Sequence, residues 1–578
     1  MRKLLLFIPA IALAMQSCVP LKHQTMQQQL EDNAPSGQEA SNGGAPLPKM
    51  ALTPDLVYKV LLADVARKRG HVDVAKKEYD ELAKLTRDPR LVERAARVAF
   101  IARDNELALK NAKLWSEIDP ENLEARKLLS VLLIKTHHTA EAVEHLEKLI
   151  SDYWSNNLQG FLLIARLLGN EKDSEVAFSV MQKLVARHPD VPEAQFALAE
   201  LAMRAENTES ADKAILKALA LKPDWQEAVI FRTRVLQAKN KLPEAIDYLA
   251  TQVKANKANL NLRLTYARLL LEAKRYRDAR AQFKILADQA PENDDILYAL
   301  GGLSLEVKQY DEAEIYLKRL IEMEKKTLVA SYFLGQVKEE QKKDDEAVRW
   351  YSRVDRGEHY LGSQIRIAMI YARGDKVQQA REHLDTIEVH NKDERVRLFI
   401  ARGEIYRESK QYQKEYDAYD KALKEYPEET NLLYARALAA ERVGKLAVVE
   451  GDLRKILITE PDNAAALNAL GYTLADRTDR YDEAYNLIKK ALQLRPDDGA
   501  IMDSMGWVEY RRGHYKEAEK YLRKAIAQSE DPEIAAHLGE VLWALGNQQG
   551  AKEIWGKART SAPENEVLLN VLQKYGQL

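Results

Sequence analysis

Three features of the sequence predict an all-α solenoid of about fifteen helical hairpins: its composition, a 34-residue period and the scarcity of cysteine. Roughly half of the residues are Ala, Glu, Lys, Leu or Arg, all strong helix formers. A hydrophobic fraction of 46% with 30% charged residues belongs to a folded chain rather than a disordered one. At 578 residues the chain is too long for one compact core, which typically holds about 100–200 residues. Lys plus Arg total 87 against 89 Asp plus Glu, a net charge of −2, so no global field draws nucleic acid. The single cysteine, Cys18, can form neither an intramolecular disulfide nor a cysteine-rich metal site.

The chain begins Met1-Arg2-Lys3 and continues with an apolar run from Leu4 to Met15. A membrane-spanning helix needs about 20 apolar residues, so this shorter run is expected to be the hydrophobic region of a secretory signal peptide over 1–17. It ends at Met15-Gln16-Ser17-Cys18, which resembles the bacterial lipobox apart from Gln16, where a small or β-branched residue is more usual. The resemblance implies cleavage before Cys18, a diacylglyceryl thioether on its sulfur and an acyl chain on the new amino terminus. At about 0.8 kcal/mol per buried methylene, several acyl chains together hold a protein durably on a bilayer. Val19 stands where aspartate signals inner-membrane retention, so the implied address is the outer membrane, facing the periplasm. Residues 18–50 are rich in Gln, Gly, Ser, Asn and Pro and read as a flexible tether, with a reach of roughly 30 Å.

From Leu56 onward the repeat can be tested by arithmetic. Ala177, Ala211, Ala245, Ala279, Ala313 and Ala347 are each 34 residues apart. The same position continues back through Ala142, Ala108 and Ala75, and forward through Ala380, Glu415, Val449, Ala484, Ala518 and Ala551. A small residue there lets the second helix of each pair approach the first. Gly301, Gly335, Gly403, Gly471, Gly506 and Gly539 recur mid-way along the first helix, where the two backbones are expected to touch. Tyr276, Tyr310, Tyr412, Tyr481 and Tyr515 precede the key position by three residues. Prolines such as Pro189, Pro223, Pro291, Pro461, Pro496 and Pro563 close repeats, because proline cannot continue a helix. A helix-turn-helix unit of this length resembles the tetratricopeptide repeat, which implies a right-handed superhelix. The organisation expected is degenerate helical pairs over 51–190, a regular superhelix over 191–564 and a capping helix over 565–578, since a solenoid must cover its apolar end.

Catalytic patterns are missing. There is no His-Glu-x-x-His, no Gly-x-Ser-x-Gly elbow, no phosphate-binding loop and no dinucleotide fingerprint. His137, His138 and His145 form the densest histidine group, with Glu141 between, and read as a solvated helix end rather than a metal site. Acidic clusters such as Glu292-Asn293-Asp294-Asp295 fall at repeat junctions, where they would cap helices. The charge run Lys338 to Glu346 reads as a solvated face and turn. No enzyme, metal or cofactor is expected, which leaves a surface. In tetratricopeptide proteins the first helices line the concave side. Aligning the repeats places Phe196, Tyr298, Tyr332, Ile365, Met369, Tyr434, Asn468, Tyr472, Trp507, Tyr510 and Trp543 toward it, with Arg166, Arg234, Arg268, Arg407 and Arg442 at comparable positions. Aromatic and Arg residues are enriched at binding hot spots, although each of these also has the option of packing against the next repeat.

The C-terminal third is the most specific stretch: Leu467-Asn468-Ala469-Leu470-Gly471-Tyr472, then Met502-Asp503-Ser504-Met505-Gly506-Trp507, then Ala535-Ala536-His537-Leu538-Gly539-Glu540. With the lipobox and some fifteen hairpins, it resembles proteobacterial outer-membrane tetratricopeptide lipoproteins, typified by the binding partner of the periplasmic carboxyl-terminal processing protease. That resemblance implies a non-enzymatic adaptor that binds this serine protease and presents peptidoglycan cross-link hydrolases to it. The alternative is a lipoprotein scaffold for an outer-membrane machine: a pilus secretin, barrel insertion or exopolysaccharide export.

Overall fold

The computed structural model describes residues 47–153 and 158–577. The expected signal peptide, Cys18 and most of the tether lie outside them. Residues 47–50, where the expected tether ends, carry no regular secondary structure and are exposed. Among the described residues no helix is long and apolar enough to cross a membrane.

All regular structure among the described residues is helical. Fifteen hairpins run from Pro54–Lys68 with Val72–Thr86 to Pro532–Ala544 with Gln548–Ser561, followed by a last helix, Glu566–Lys574. Every key position falls in the first turn of a second helix, and the thirteen alanines there are at most 1% exposed. Asn293 caps Asp294–Glu306 by accepting from the backbone N–H groups of Asp295 and Ile296, as the acidic junction pattern implies. The first helices end in a recurrent left-handed turn. At Asn240 (φ 58°), for instance, Lys241 N–H donates to Leu236 O at 2.9 Å and Asn240 N–H to Gln237 O at 2.9 Å. This satisfies carbonyls that would otherwise lack partners.

The molecule divides into two compact units, one ending at Arg319 and one spanning Leu320–Leu578. Within the second, successive first helices touch: Tyr360–Arg373 with Lys392–Glu408, Ala464–Arg477 with Gly499–Arg511, and Gly499–Arg511 with Pro532–Ala544. Glu566–Lys574 lies on the final hairpin and buries Leu568, Val571 and Leu572, covering the end of the stack. Two second helices are short, Asp344–Tyr351 and Val377–Asp385. The first is followed by Gly357 at φ 82°, the second by a β-branched stretch from Thr386 to Val389 that does not extend it.

The expected backbone approach is present at Gly471 and Gly506, where a Cβ would lie 3.0 Å from Ala484 O and 3.2 Å from Ala518 O, but a large side chain meets the glycine in every case. A Cβ on Gly301 would lie 2.7 Å from Leu317 Cδ2, and one on Gly335, Gly403 or Gly539 would run into Tyr351, Tyr419 or Trp555. The gap in the first helix is therefore a socket for a large side chain of the second. Trp555 fills it completely and donates its indole N–H to Ala536 O at 3.2 Å. The run from Lys338 to Glu346 also departs from the expected solvated face. Thr327–Glu340 continues into it, so Lys338 is buried and pairs with Glu346 at 3.1 Å. Glu339 accepts from Tyr351 at 2.8 Å, Arg366 at 2.9 Å and Arg373 at 2.8 Å. Burial alone would raise the Glu339 carboxyl, but these partners hold it below the ordinary range.

Glu415 occupies a key position at 1% exposure. One carboxylate oxygen accepts from Arg442 at 2.9 Å, the other has no partner, and burial raises the carboxyl despite Arg442 and Arg407. A carboxyl raised by folding favours the folded state fully below about pH 4.3 and loses that contribution as pH rises through its folded value. Replacing Glu415 by the alanine of the other repeats should therefore stabilise at pH 7 by about 0.5–2 kcal/mol, because exposed Arg442 remains solvated. Gly539→Ala should destabilise by about 1–3 kcal/mol through overpacking, whereas Gly556→Ala, in open space on a helix, should be neutral or stabilising. Thermal melts followed by circular dichroism at pH 4 and pH 7 check all three.

Candidate interaction surface

The densest polar and aromatic arrangement lies in the C-terminal unit, across Ala464–Arg477, Gly499–Arg511 and Pro532–Ala544. Asn468 and Tyr472 sit one turn apart on the first of these, so they share a face. Tyr472 donates to Glu533 at 3.5 Å on the third, spanning the helix between. Trp507, on that middle helix, is only 7% exposed. Its indole N–H donates to Asp476 at 3.2 Å, and its ring stacks on His537 at 4.3 Å and on Tyr510 at 5.1 Å. His537 lies 3.0 Å from Asp503. Burial would lower the imidazole, yet Asp503, with Glu533 and Glu540 behind it, raises it.

Electrostatics distinguish this face from ordinary packing. Burial pushes the Tyr472 hydroxyl up, and Glu533, Asp476, Asp503 and Glu441 push it further. Asp503 has His537, and Asp476 has Arg477 at 2.9 Å. Glu533 and Glu441 stay above the usual carboxylate range because burial outweighs His537 for the one and Arg477 and Arg442 for the other. Asn468 Oδ1 is buried and accepts no hydrogen bond. The face thus carries one buried acceptor without a donor, Asn468 Oδ1, and two carboxyls raised by burial, beside aromatic rings.

The remaining sequence-derived positions divide by burial. Phe196 (8% exposed) packs on Trp225 at 4.7 Å and Phe231 at 5.3 Å, knitting two repeats together, and Tyr298 (4%) is also buried. Tyr332 is half-buried, lies flat on His359 at 4.5 Å and accepts from Gln336 at 3.0 Å. Ile365 and Met369 are half-buried against an apolar cluster with Tyr360 and Tyr371. Tyr434 is half-buried and its hydroxyl is raised by burial, with Glu441 adding. Trp543 lies 5.1 Å from Tyr575 and 5.8 Å from Trp555, which ties it to the end of the stack. Arg234 is exposed and Arg268 half-buried. His138 is exposed beside Thr136 at 3.0 Å, whereas His145 is half-buried and lowered by that burial. No group of three or more His, Cys, Asp or Glu suited to a metal occurs among the described residues. Glu441, Asp503, Glu533 and His537 were not singled out from the sequence, since they look like ordinary members of a charged chain. Aligning the Gly471, Gly506 and Gly539 segments was the available signal.

Tetratricopeptide-repeat models match residues 162–228, 264–326, 462–531 and 504–565. A TPR repeat-containing protein of Pseudomonas aeruginosa is 35% identical over 536 residues, which cover 92% of this chain and 89% of that protein. The chain belongs to the tetratricopeptide-repeat protein family. A shorter similarity, 42% over 79 residues, links 14% of the chain to 9% of human tetratricopeptide repeat protein 7A. Among solved structures, this tetratricopeptide chain is similar to the APC/C hetero-tetramer Cut9-Hcn1, with 15% identity, TM-score 0.31, and coverage of 91% of this chain and 96% of that one. It is also similar to PilW, a type IV pilus biogenesis factor, with 21% identity, TM-score 0.30, and coverage of 37% and 100%. A tetratricopeptide stack of this kind is a scaffold for protein interaction.

If Glu441 and Glu533 are dehydrated carboxylates, their folded values lie above the ordinary value of about 4.3, and ionising them costs stability as pH rises through that window. Glu441→Gln and Glu533→Gln should each raise the melting temperature at pH 7 by about 1–3 °C and leave it unchanged near pH 4. Paired melts at the two pH values read this out.

Proposed function

We propose that this chain is a non-enzymatic adaptor, anchored in the outer membrane through acylated Cys18 and facing the periplasm. It binds a carboxyl-terminal processing serine protease and presents peptidoglycan cross-link hydrolases to it. The face built on Tyr472, Trp507 and Glu533 carries the reading. A buried acceptor without a donor, as Asn468 Oδ1 is beside it, and carboxyls raised by burial lower a chain's stability. Such groups become useful when a partner supplies the N–H groups and excludes the remaining water. Aromatic rings beside them provide area at low entropic cost. Tethering protease and client on one scaffold raises the effective concentration of each for the other, without any catalytic group in the scaffold itself. The lipobox and the similarity of the Leu467–Trp543 segment to lipoprotein adaptors support the choice of partner.

Immobilised lipid-free chain, beginning after Cys18, is incubated with periplasmic extract and the retained proteins are identified by mass spectrometry. The processing protease and at least one wall hydrolase should be enriched, and the paired substitution Tyr472→Ala with Glu533→Arg should reduce retention at least about tenfold. Retention of neither overturns the proposal. Recovery of a secretin or a β-barrel as the main cross-linked partner replaces it with the assembly-scaffold reading.

A further inference from the structure

The first helix, Pro54–Lys68, keeps an apolar face that no described residue covers. Val57, Leu61 and Val65 recur at every fourth position with Tyr58 beside them, so they form a single stripe along one side of the helix. These four side chains are between 43% and 63% exposed. The other sides are committed to the protein. Leu56, Ala63 and Ala66 are buried, Lys59 pairs with Glu81 at 2.8 Å, and Asp64 accepts from Arg94 at 3.0 Å.

Apolar exposure is concentrated at this point of the chain. Of nineteen large apolar side chains exposed among the described residues, seven lie between Leu47 and Val65. Leu47, Met50 and Leu52 carry the exposed run up to the helix along residues without regular secondary structure. The stripe ends on Lys68, with Arg69 next to it and Lys49 ahead of the helix. All three cations are exposed and form no ion pair among the described residues.

We infer that this face lies on the surface of a lipid bilayer, with the apolar side chains at the headgroup boundary and Lys49, Lys68 and Arg69 on anionic headgroups. Area argues against a second copy of the chain as the occupant. Four half-exposed side chains of this size offer roughly 400 Å², about half of what each partner gives to a stable dimer. Charge argues for lipid, because unpaired cations at both ends of an apolar stripe that carries a tyrosine match the boundary between headgroups and acyl chains. Position agrees: the 46 residues outside the described part lead into Leu47, and Cys18 is among them. The inference rests on the proposed acylation of Cys18 for bringing the helix near a membrane, and it adds a second contact. A helix held flat fixes which side of the first hairpin faces the bilayer, which an acyl anchor at Cys18 alone does not.

The test uses the full chain from residue 19 onward, without lipid, and vesicles of phosphatidylethanolamine with about one quarter phosphatidylglycerol, read by flotation at about 1 mM lipid. The chain should float with these vesicles, and less with uncharged ones. Leu61→Asp with Val65→Asp should lower the partition at least about tenfold, with an unchanged melting curve because both side chains are exposed. Lys68→Glu with Arg69→Glu should lower it at least about fivefold on the anionic vesicles and leave it unchanged on the uncharged ones. No flotation of the unsubstituted chain, or equal flotation of the Asp variant, overturns the inference. So does a chain that sediments as a dimer without lipid and becomes a monomer on the Asp substitutions, since the stripe is then a contact between copies. Acylation of Cys18 is read separately from the mass of the native chain, and the adaptor reading from retention of the protease by the Asp variant, so failure of one does not imitate failure of another.

Discussion

Everything in this molecule depends on how closely two helices approach inside one hairpin. At the start of each second helix, an alanine at most 1% exposed in thirteen of fifteen repeats brings the axes together. Further along, a large residue of the second helix drops into the place where the first has no side chain, as Leu317 does at Gly301 and Trp555 at Gly539. The contact is volume complementarity, so it tolerates little error in either direction.

Polar groups enter this packing where they have partners, and the exceptions are informative. Glu339 is half-buried, and Arg366, Arg373 and Tyr351 around it hold its carboxyl below the ordinary range. Glu415 has one partner and one orphaned oxygen, and its carboxyl rises. On the face built from first helices, Asn468 Oδ1 is buried without a partner, and burial holds the Glu441 and Glu533 carboxyls up although each accepts one hydrogen bond. The two units differ at one repeat position, which holds Arg166, Glu200, Arg234 and Arg268 in the first and Tyr472 and Trp507 in the second. One backbone thus displays different side chains along its length, because these positions are free to vary while the packing positions are not.

Much of the fold was legible because its determinants are local. The hairpin count, the place of each key alanine and the last helix all follow from periodicity. The glycine positions were located correctly and the backbone approach holds at Gly471 and Gly506, but the large residue that fills each socket was missed, since it lies some sixteen residues away on another helix. The run at Lys338 looked solvated because charge alone does not reveal that a helix continues beneath it. Among the first-helix residues, Phe196, Tyr298 and Trp507 stood out as aromatics, yet all three are buried. The partner-poor groups beside them were ordinary letters in a chain that is 30% charged.

The sequence by itself determined the repeat, its register and the volume at each packing position, because these depend on residues within one or two helical turns and on their recurrence. The tertiary structure alone decided which inner residues keep water and which lose it. The half-burial of Glu441 and Glu533 depends on how successive first helices pack, and no local pattern encodes it.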